Sequence, residues 1–457
     1  MSEASKEKIT QGIRVAKEDF LGLFKNRNFA RLFWGQLISS AGDWIATLAL
    51  MTFVWQLTRS SLAVGGMLAF RIVPAMFSGP VAAFISDKID RKKLLISCDI
   101  SRGVIILGAP LMTKLWGLYV LLFFLEGISI IWLAARDASI PNIVKSEELT
   151  AANSLSMATT YGIIPFAAIA YSLLMIPSPI TRHFAHGGFL AKHPTILAFF
   201  ADSATFFISA SFFSRMSLKS PKAKETTISA EGFIESVTFT FKNPFARSLL
   251  AGAAMGCVGG GSLYAVGIGY VKEVLGAGDV AFGFLMALFG AGMLAGIIAL
   301  EILVKTEEKP WMLRISLLTT GGILIGMAIV KFLPLAYLLA GFFGASFGIL
   351  FVVAVTLVQE RFADEDRGKA FAAFHAISRI FLVLGAGLAG GIAGLVGVRK
   401  LRVLGITYHI HGVALSLFIA GVLIASVSII PLGEKKEHIK EYFIREAKES
   451  PENPANP

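Results

Sequence analysis

Apolar runs of about 20 residues or more, broken by short polar gaps, recur along the whole chain. Twelve fall near 30–57, 61–85, 93–113, 116–138, 150–176, 194–215, 247–272, 279–304, 310–331, 334–357, 367–397 and 411–432. A helix rises about 1.5 Å per residue, so a run of about 20 crosses the ~30 Å hydrocarbon core of a bilayer. The pattern predicts an all-α integral membrane protein with twelve transmembrane helices. The longest polar gap, 216–246, carries the charged stretch Lys219 to Glu225 and divides the spans six and six. The expected organisation is a polar segment 1–29, a first six-helix half 30–215, a linker 216–246, a second half 247–432 and a tail 433–457.

The halves carry traces of a repeat. At an offset of about 217 residues, Gly66-Met67-Leu68 meets Gly283-Phe284-Leu285, and one residue further Val144 to Glu148 meets Phe362 to Asp366. Duplicated halves of this kind place a midplane site between them. Small-residue patterns, Gly292-Met-Leu-Ala-Gly296 and Gly387-Leu-Ala-Gly390-Gly391, suit close helix contact in lipid.

Composition agrees with membrane insertion. Of 457 residues 55% are hydrophobic and only 16% charged, with a mean hydropathy of +0.70, against roughly 25% charged in soluble domains. The net charge of +11 is sorted by side rather than gathered on a basic face, which argues against nucleic acid as a partner. Of 42 Lys and Arg, 30 fall on the side that holds the N-terminus and 9 on the other, with Arg71, Arg102 and Arg379 inside spans. The positive-inside rule therefore puts both termini in the cytoplasm, in a multi-pass protein of the cell (inner) membrane. The hairpin Ala83 to Lys93, with Lys88, Arg91, Lys92 and Lys93, is the densest cationic gap between adjacent spans.

Several chemistries find no support in the sequence. Cys98 and Cys257 lie apart in apolar runs, and His183, His186 and His193 share one loop without a standard ligand spacing, so no metal is expected. Gly385 to Gly390 satisfies GxGxxG, but it lies mid-span with no preceding strand. No Walker A motif and no nucleophile with a base at matching depth occur, so neither a cofactor nor an enzyme is expected.

Charged side chains near the bilayer centre cost roughly 2.5–3.5 kcal/mol on insertion scales and are therefore informative. Asp43, Arg71 and Glu126 fall near the midplane of spans one, two and four, and Asp202 is placed similarly in span six. His375 and Arg379 share one face of span eleven, while Asp99 and Arg102 lie nearer the end of span three. These groups are either structural ion pairs or a proton-coupling and substrate site. Asp43 with Arg71 on consecutive helices is the leading functional pair. Glu126, lacking a cation nearby in sequence, suits a proton carrier, and Asp99 with Arg102 reads as a structural ion pair. Trp44, Tyr161 and Phe166 are candidate cavity-lining aromatics.

The chain resembles the major facilitator superfamily over essentially its whole length, and within it the macrolide-efflux and enterobactin-exporter branch. Asp87, Lys88, Arg91 and Lys92 match the signature between spans two and three, with Ala83 and Asp90 standing where glycines are usual. Gly35-Gln36 with Gly42-Asp43-Trp44, Arg71 with Pro74, Asp99 with Arg102, Pro141 through Asn153, and Gln359-Glu360 through Asp366-Arg367-Gly368 add to the likeness. The resemblance implies export of an amphiphilic or hydrophobic small molecule by a monomer that alternates access, driven by proton antiport. It also implies that Asp87 braces a cytoplasmic gate with Arg91 and Lys92, for which Arg136 and Arg367 are cationic partners. Gly162-Ile-Ile-Pro165 lacks the glycine cluster of related proton antiporters. That departure keeps open a carrier without proton coupling, a lipid-related carrier, and a membrane sensor that moves nothing.

Overall fold

The computed structural model describes residues 22–72, 74, 89–145, 148–176, 195–218, 244–303, 309–361, 364–403 and 406–428. In lipid a backbone has no water to bond, so each apolar run closes its hydrogen bonds internally as a helix. The helices are α1 (Arg27–Thr58), α2 (Ser61–Ile72), α3 (Arg91–Ile106), α4 (Leu115–Ser139), α5 (Leu149–Tyr161), α6 (Ile164–Met175) and α7 (Ile196–Ser214). The second half contains α8 (Pro244–Gly269), α9 (Asp279–Leu303), α10 (Lys309–Ile329), α11 (Leu333–Arg361), α12 (Asp364–Val396) and α13 (Gly412–Val427). Among the described residues, nine helices are long and apolar enough to cross a membrane, and α2, α6 and α13 are shorter apolar helices. The Ala83 to Lys88 part of the cationic hairpin, the three loop histidines and most of the linker lie outside the described residues.

Local sequence sets the helix ends. Asn26 caps α1 by accepting from the Asn28 and Phe29 amides, at 3.0 and 3.4 Å. Asp90, where the resembled signature has glycine, caps α3 by accepting from the Lys93 amide at 3.0 Å. One expectation is refined. Span five is not one continuous helix: it turns at Gly162–Ile163, and Pro165, at the start of α6, has no amide to continue the ladder. The gap between spans eleven and twelve holds an antiparallel hairpin, β1 (Val398–Val403) with β2 (Ile406–His411), pairing Val398 with His411 and Val403 with Ile406. Its β-branched and aromatic residues suit a strand pair, and the spans themselves are helical as expected.

The helix pairings repeat between the halves. In the first half α1 and α3 pack on α7, α3 on α4, and α1 on α5 and α6; in the second α8 and α10 pack on α13, α10 on α11, and α8 on α12. The repeated pairings give the bundle two helical halves, α1–α7 and α8–α13. Close contacts between them gather toward the end of the bundle where α1 stops and α2 starts, here called the distal end. There Gln56 donates to Asp279 Oδ2 at 3.3 Å, Ser172 Oγ donates to the Val280 carbonyl at 3.3 Å, and Tyr171 meets Phe282 edge-on at 6.4 Å. Gly65 backs onto the Ala386 carbonyl and Gly390 onto Ser61 and Leu62.

Glycine permits the tightest helix pair. A Cβ on Gly292 would overlap the Gly341 carbonyl and one on Gly344 the Phe289 carbonyl, so α9 and α11 touch backbone to backbone. Of the two patterns seen in the sequence, Gly292 and Gly296 make such contacts, and in the second Gly390 packs on the Ser61 and Leu62 backbone while Gly387 and Gly391 have open space where a side chain would be. Gly344→Leu is expected to destabilise the protein by about 3 kcal/mol, because the contact is with a neighbouring backbone. Gly322→Leu, in open space, should leave stability within about 0.5 kcal/mol. Thermal unfolding of both purified variants in detergent checks the contrast.

Candidate functional site

Five helices of the first half aim ionisable side chains at one level. Gly42 lets α1 approach α7 so closely that a Cβ there would meet Thr205 Oγ1 and Asp202 Oδ1. The next residue, Asp43, lies with its Oδ2 3.7 Å from Arg102 Nη1 of α3. Arg102 also forms a short ion pair with Asp99, one helical turn before it, and its Nη1 donates to Ser129 Oγ of α4 at 3.4 Å. Its guanidinium is sandwiched by rings, 4.3 Å from the Phe206 centroid and 4.9 Å from that of Trp132. On α2, Arg71 donates from Nε to Glu126 Oε2 at 3.2 Å and from Nη1 to Thr47 Oγ1 at 2.7 Å, and Thr47 itself donates to the Asp43 carbonyl at 2.7 Å.

The cluster has two tiers. Asp99, Arg102 and Asp202 are sealed, at 0%, 2% and 1% exposure. Asp43, Arg71 and Glu126 keep 32%, 25% and 23% of their side chains accessible. Asp202 Oδ1, Asp99 Oδ2 and Arg102 Nε are buried without a hydrogen-bond partner. Four carboxyl groups thus share two guanidinium groups. Such a centre holds more carboxyl groups than cations, and its outer tier is accessible from outside the packed helices.

The structure redistributes the expected partners. Asp43 and Arg71 are neighbours, yet each has a different ion-pair partner, because α3 brings Arg102 beside α1 and α4 brings Glu126 beside α2. Glu126 is therefore not without a partner; its cation comes from 55 positions earlier. Asp99 and Arg102 do pair, but alongside Asp43 rather than apart from it near the headgroups.

The proposed gate residues are only partly placed. Asp87 and the Arg367 side chain lie outside the described residues. Arg91 Nη1 donates to the Ala138 carbonyl at 2.7 Å, fastening α3 to α4, and Lys92 is half-buried. Arg136, a candidate cationic partner at the gate, is buried within the first half, against Ser156 Oγ and Gln36 Oε1, with Asp137 at 2.9 Å.

The aromatic candidates also divide. Trp44 donates from Nε1 to the Thr160 carbonyl at 2.9 Å, tying α1 to α5, and the Tyr161 side chain lies outside the described residues. Phe166 is 64% exposed on an apolar stripe of α6 with Ile169, Leu173 and Ile176, the composition of a lipid-facing surface. In the second half, His375 and Arg379 are both exposed on α12, and the His375 ring stands edge-on to Phe374 at 5.4 Å. The sequence reading missed Tyr264 of α8, which faces Arg71 from the other half, and Thr47, which links Arg71 to Asp43. The spacing of Thr47, one turn after Asp43, was the available signal.

Fold and site together define a multi-pass membrane protein of the major facilitator fold with an ionisable centre in its first half. No family model matches the chain. Among curated proteins it is 26% identical over 446 residues to "Uncharacterized MFS-type transporter YfiS" of Bacillus subtilis (strain 168), covering 92% of this chain and 97% of that one. It is also 26% identical over 375 residues to "Putative bacilysin exporter BacE" of Bacillus amyloliquefaciens, covering 79% and 87%. Among solved structures, a bacterial homologue of the human lysosomal transporter Spinster, inward-facing and occupied, aligns at a TM-score of 0.69 with 13% identity, covering 88% of this chain and 94% of that one. The nucleoside transporter NupG aligns at 0.66 with 13% identity, covering 88% and 97%.

Removing one member of the sealed tier strands the others. Arg102→Gln should cost about 3–5 kcal/mol, since it leaves a buried carboxylate without its cation. Asp99→Asn combined with Arg102→Gln should recover much of that loss. The thermal unfolding midpoints of the single and double variants measure the recovery.

Proposed function

We propose that this chain is a secondary transporter that exports an amphiphilic or hydrophobic small molecule by alternating access, driven by inward proton movement. The observation that carries the reading is the two-tiered charge cluster, whose accessible members Asp43, Arg71 and Glu126 lie at mid-membrane in the half that faces Tyr264 across the interface. The similarity to YfiS and BacE over most of their lengths supports transport, and the description of BacE as an exporter supports export. The shared motifs favour the macrolide-efflux and enterobactin-exporter branch.

The contacts between the halves support a cytoplasm-facing state. They gather at the distal end, which the charge bias places outside the cell, so the cleft opens toward the termini. On this reading Asp43 and Glu126 exchange protons with the cleft, and loss or gain of charge at Asp43 changes the pull of Arg102 on α1. Arg102 and Asp99 keep α3 fixed against α7, so that the change is felt between the halves. Asp87, with Arg91 and Lys92, braces the cytoplasmic gate when the cleft closes on that side. The chain works as a monomer with both termini in the cytoplasm, and the units 30–215 and 247–432 move as its two bodies.

The single-glycine break Gly162 to Pro165 favours a second reading, a carrier without proton coupling. A drug and metabolite sensitivity screen of expressing against non-expressing cells supplies a substrate for proteoliposomes with an internal pH dye. Asp43→Asn is expected to abolish substrate-dependent proton movement while the protein stays monodisperse and folded. Unchanged proton flux in the variant, or no pH dependence of transport in the wild type, would decide for uncoupled transport.

A further inference from the structure

The two walls of the cleft carry opposite chemistry. In the first half the mid-membrane groups are four carboxyls and two guanidiniums. In the second half no Asp or Glu occurs in 244–272, 280–300, 311–358, 373–396 or 412–428, and the cation placed at mid-helix is Arg379, one turn after His375. Arg379 is exposed, and among the described residues no carboxylate lies within ion-pair distance of it.

Helical register shows where Arg379 points. Ala386, Gly390 and Ala393 follow it by 7, 11 and 14 residues, so all four share one face of α12. On that face Gly390 packs against Ser61 and Leu62 of α2, and Ala386 against Gly65. At Ala386 and Gly390 the face is thus turned to the first half, while Ala393, at the far end, packs on Gly412 of α13, and Arg379 sits on the face below the closed contact. From the Gly65–Ala386 contact, Arg71 lies six residues along α2 and Arg379 seven residues back along α12. Both are about 9–10 Å from the contact toward the termini at ~1.5 Å per residue. Arg379 therefore stands at the depth of Arg71, across the cleft. Arg71 is matched by Glu126, whereas among the described residues the Arg379 charge has no such match. The neighbouring apolar stripe of Ile380, Leu384, Leu388 and Leu395 occupies the lipid side of α12.

We propose that the transported molecule is a dipolar amphiphile whose anionic group seats on Arg379 while its cationic group faces Asp43. A guanidinium held in a partly dry cleft gains a charge-assisted, bidentate pair with a carboxylate or phosphate, and the excess carboxyl charge of the opposite wall receives an amine. An apolar body attached to the two charges packs among side chains that are mostly hydrocarbon. This assignment rests on the transport reading and narrows its substrate class.

The test uses Nε-dansyl-lysine, a fluorescent zwitterion with an apolar body, with its α-carboxamide, which keeps only the amine, and its Nα-acetyl derivative, which keeps only the acid. Binding of each to the purified full chain is read from dansyl fluorescence, and movement from uptake into proteoliposomes. The wild type is expected to bind the zwitterion about tenfold more tightly than either derivative. Arg379→Gln should erase the preference for acid over amide, Arg379→Lys should retain part of it, and Asp43→Asn should erase the preference for free over acetylated amine. Equal binding of acid and amide by the wild type, unchanged selectivity in Arg379→Gln, or no binding of any of the three overturns the assignment. Selective binding without movement into proteoliposomes instead overturns the transport reading and leaves the site standing.

Discussion

Arg102 is the interaction around which the first half is arranged. Its side chain is 2% exposed, ion-paired to Asp99, 3.7 Å from Asp43 and held between the rings of Phe206 and Trp132. A guanidinium in that position is tolerable only because the carboxylates and aromatic faces replace its water. It touches α1, α3, α4 and α7 at once. Any rearrangement of these helices must keep it matched, so the half is strongly constrained to move as a unit. The accessible tier is coupled to it through Asp43, the one carboxylate that belongs both to the sealed pair and to the cleft.

The spans were legible because lipid leaves the backbone no alternative to helix, and a run of apolar residues states that requirement directly. Partner choice was not legible to the same degree. Asp43 and Arg71 look like natural partners on consecutive helices, yet α4 carries Glu126 to Arg71 and α3 carries Arg102 to Asp43. Which helix stands beside which is decided by contacts such as Gly42 on Thr205, and these depend on three-dimensional packing rather than on sequence distance. The same holds for Phe166, whose ring type suited a cavity but whose place on α6 is on the lipid-facing stripe. Glycine patterns were legible at Gly292 and Gly296 and misleading at Gly387 and Gly391, since spacing alone does not say which face a neighbour occupies.

The pairings of α8–α13 repeat those of α1–α7, but the chemistry does not repeat. At the offset that aligns the halves, Asp43 corresponds to Gly260 and Arg71 to Leu288. Gly260 is used for packing, against Phe347 and Leu382, and Leu288 is an exposed apolar residue. The second half is thus largely relieved of buried charge, and its helices approach backbone to backbone at α9 and α11. One half is held by matched charges and the other by close packing.

In the alternating access proposed above the two halves separate and rejoin, and this division then has a use. Close glycine packing is insensitive to protonation, so the second half suits a body of fixed shape. On the same proposal the mid-membrane cluster of the first half, with four carboxyls and two guanidiniums, changes its internal attraction when a proton arrives. At the distal contact the joining groups are mostly uncharged: Gly65, Gly390, Ser61 and Ser172 and the ring pair Tyr171–Phe282, with Asp279, bonded by Gln56, as the charged exception. Uncharged surfaces can part without exposing unmatched charge. The larger electrostatic energies are kept inside one half, and on the proposed mechanism a proton or a bound charge acts there without breaking the seam.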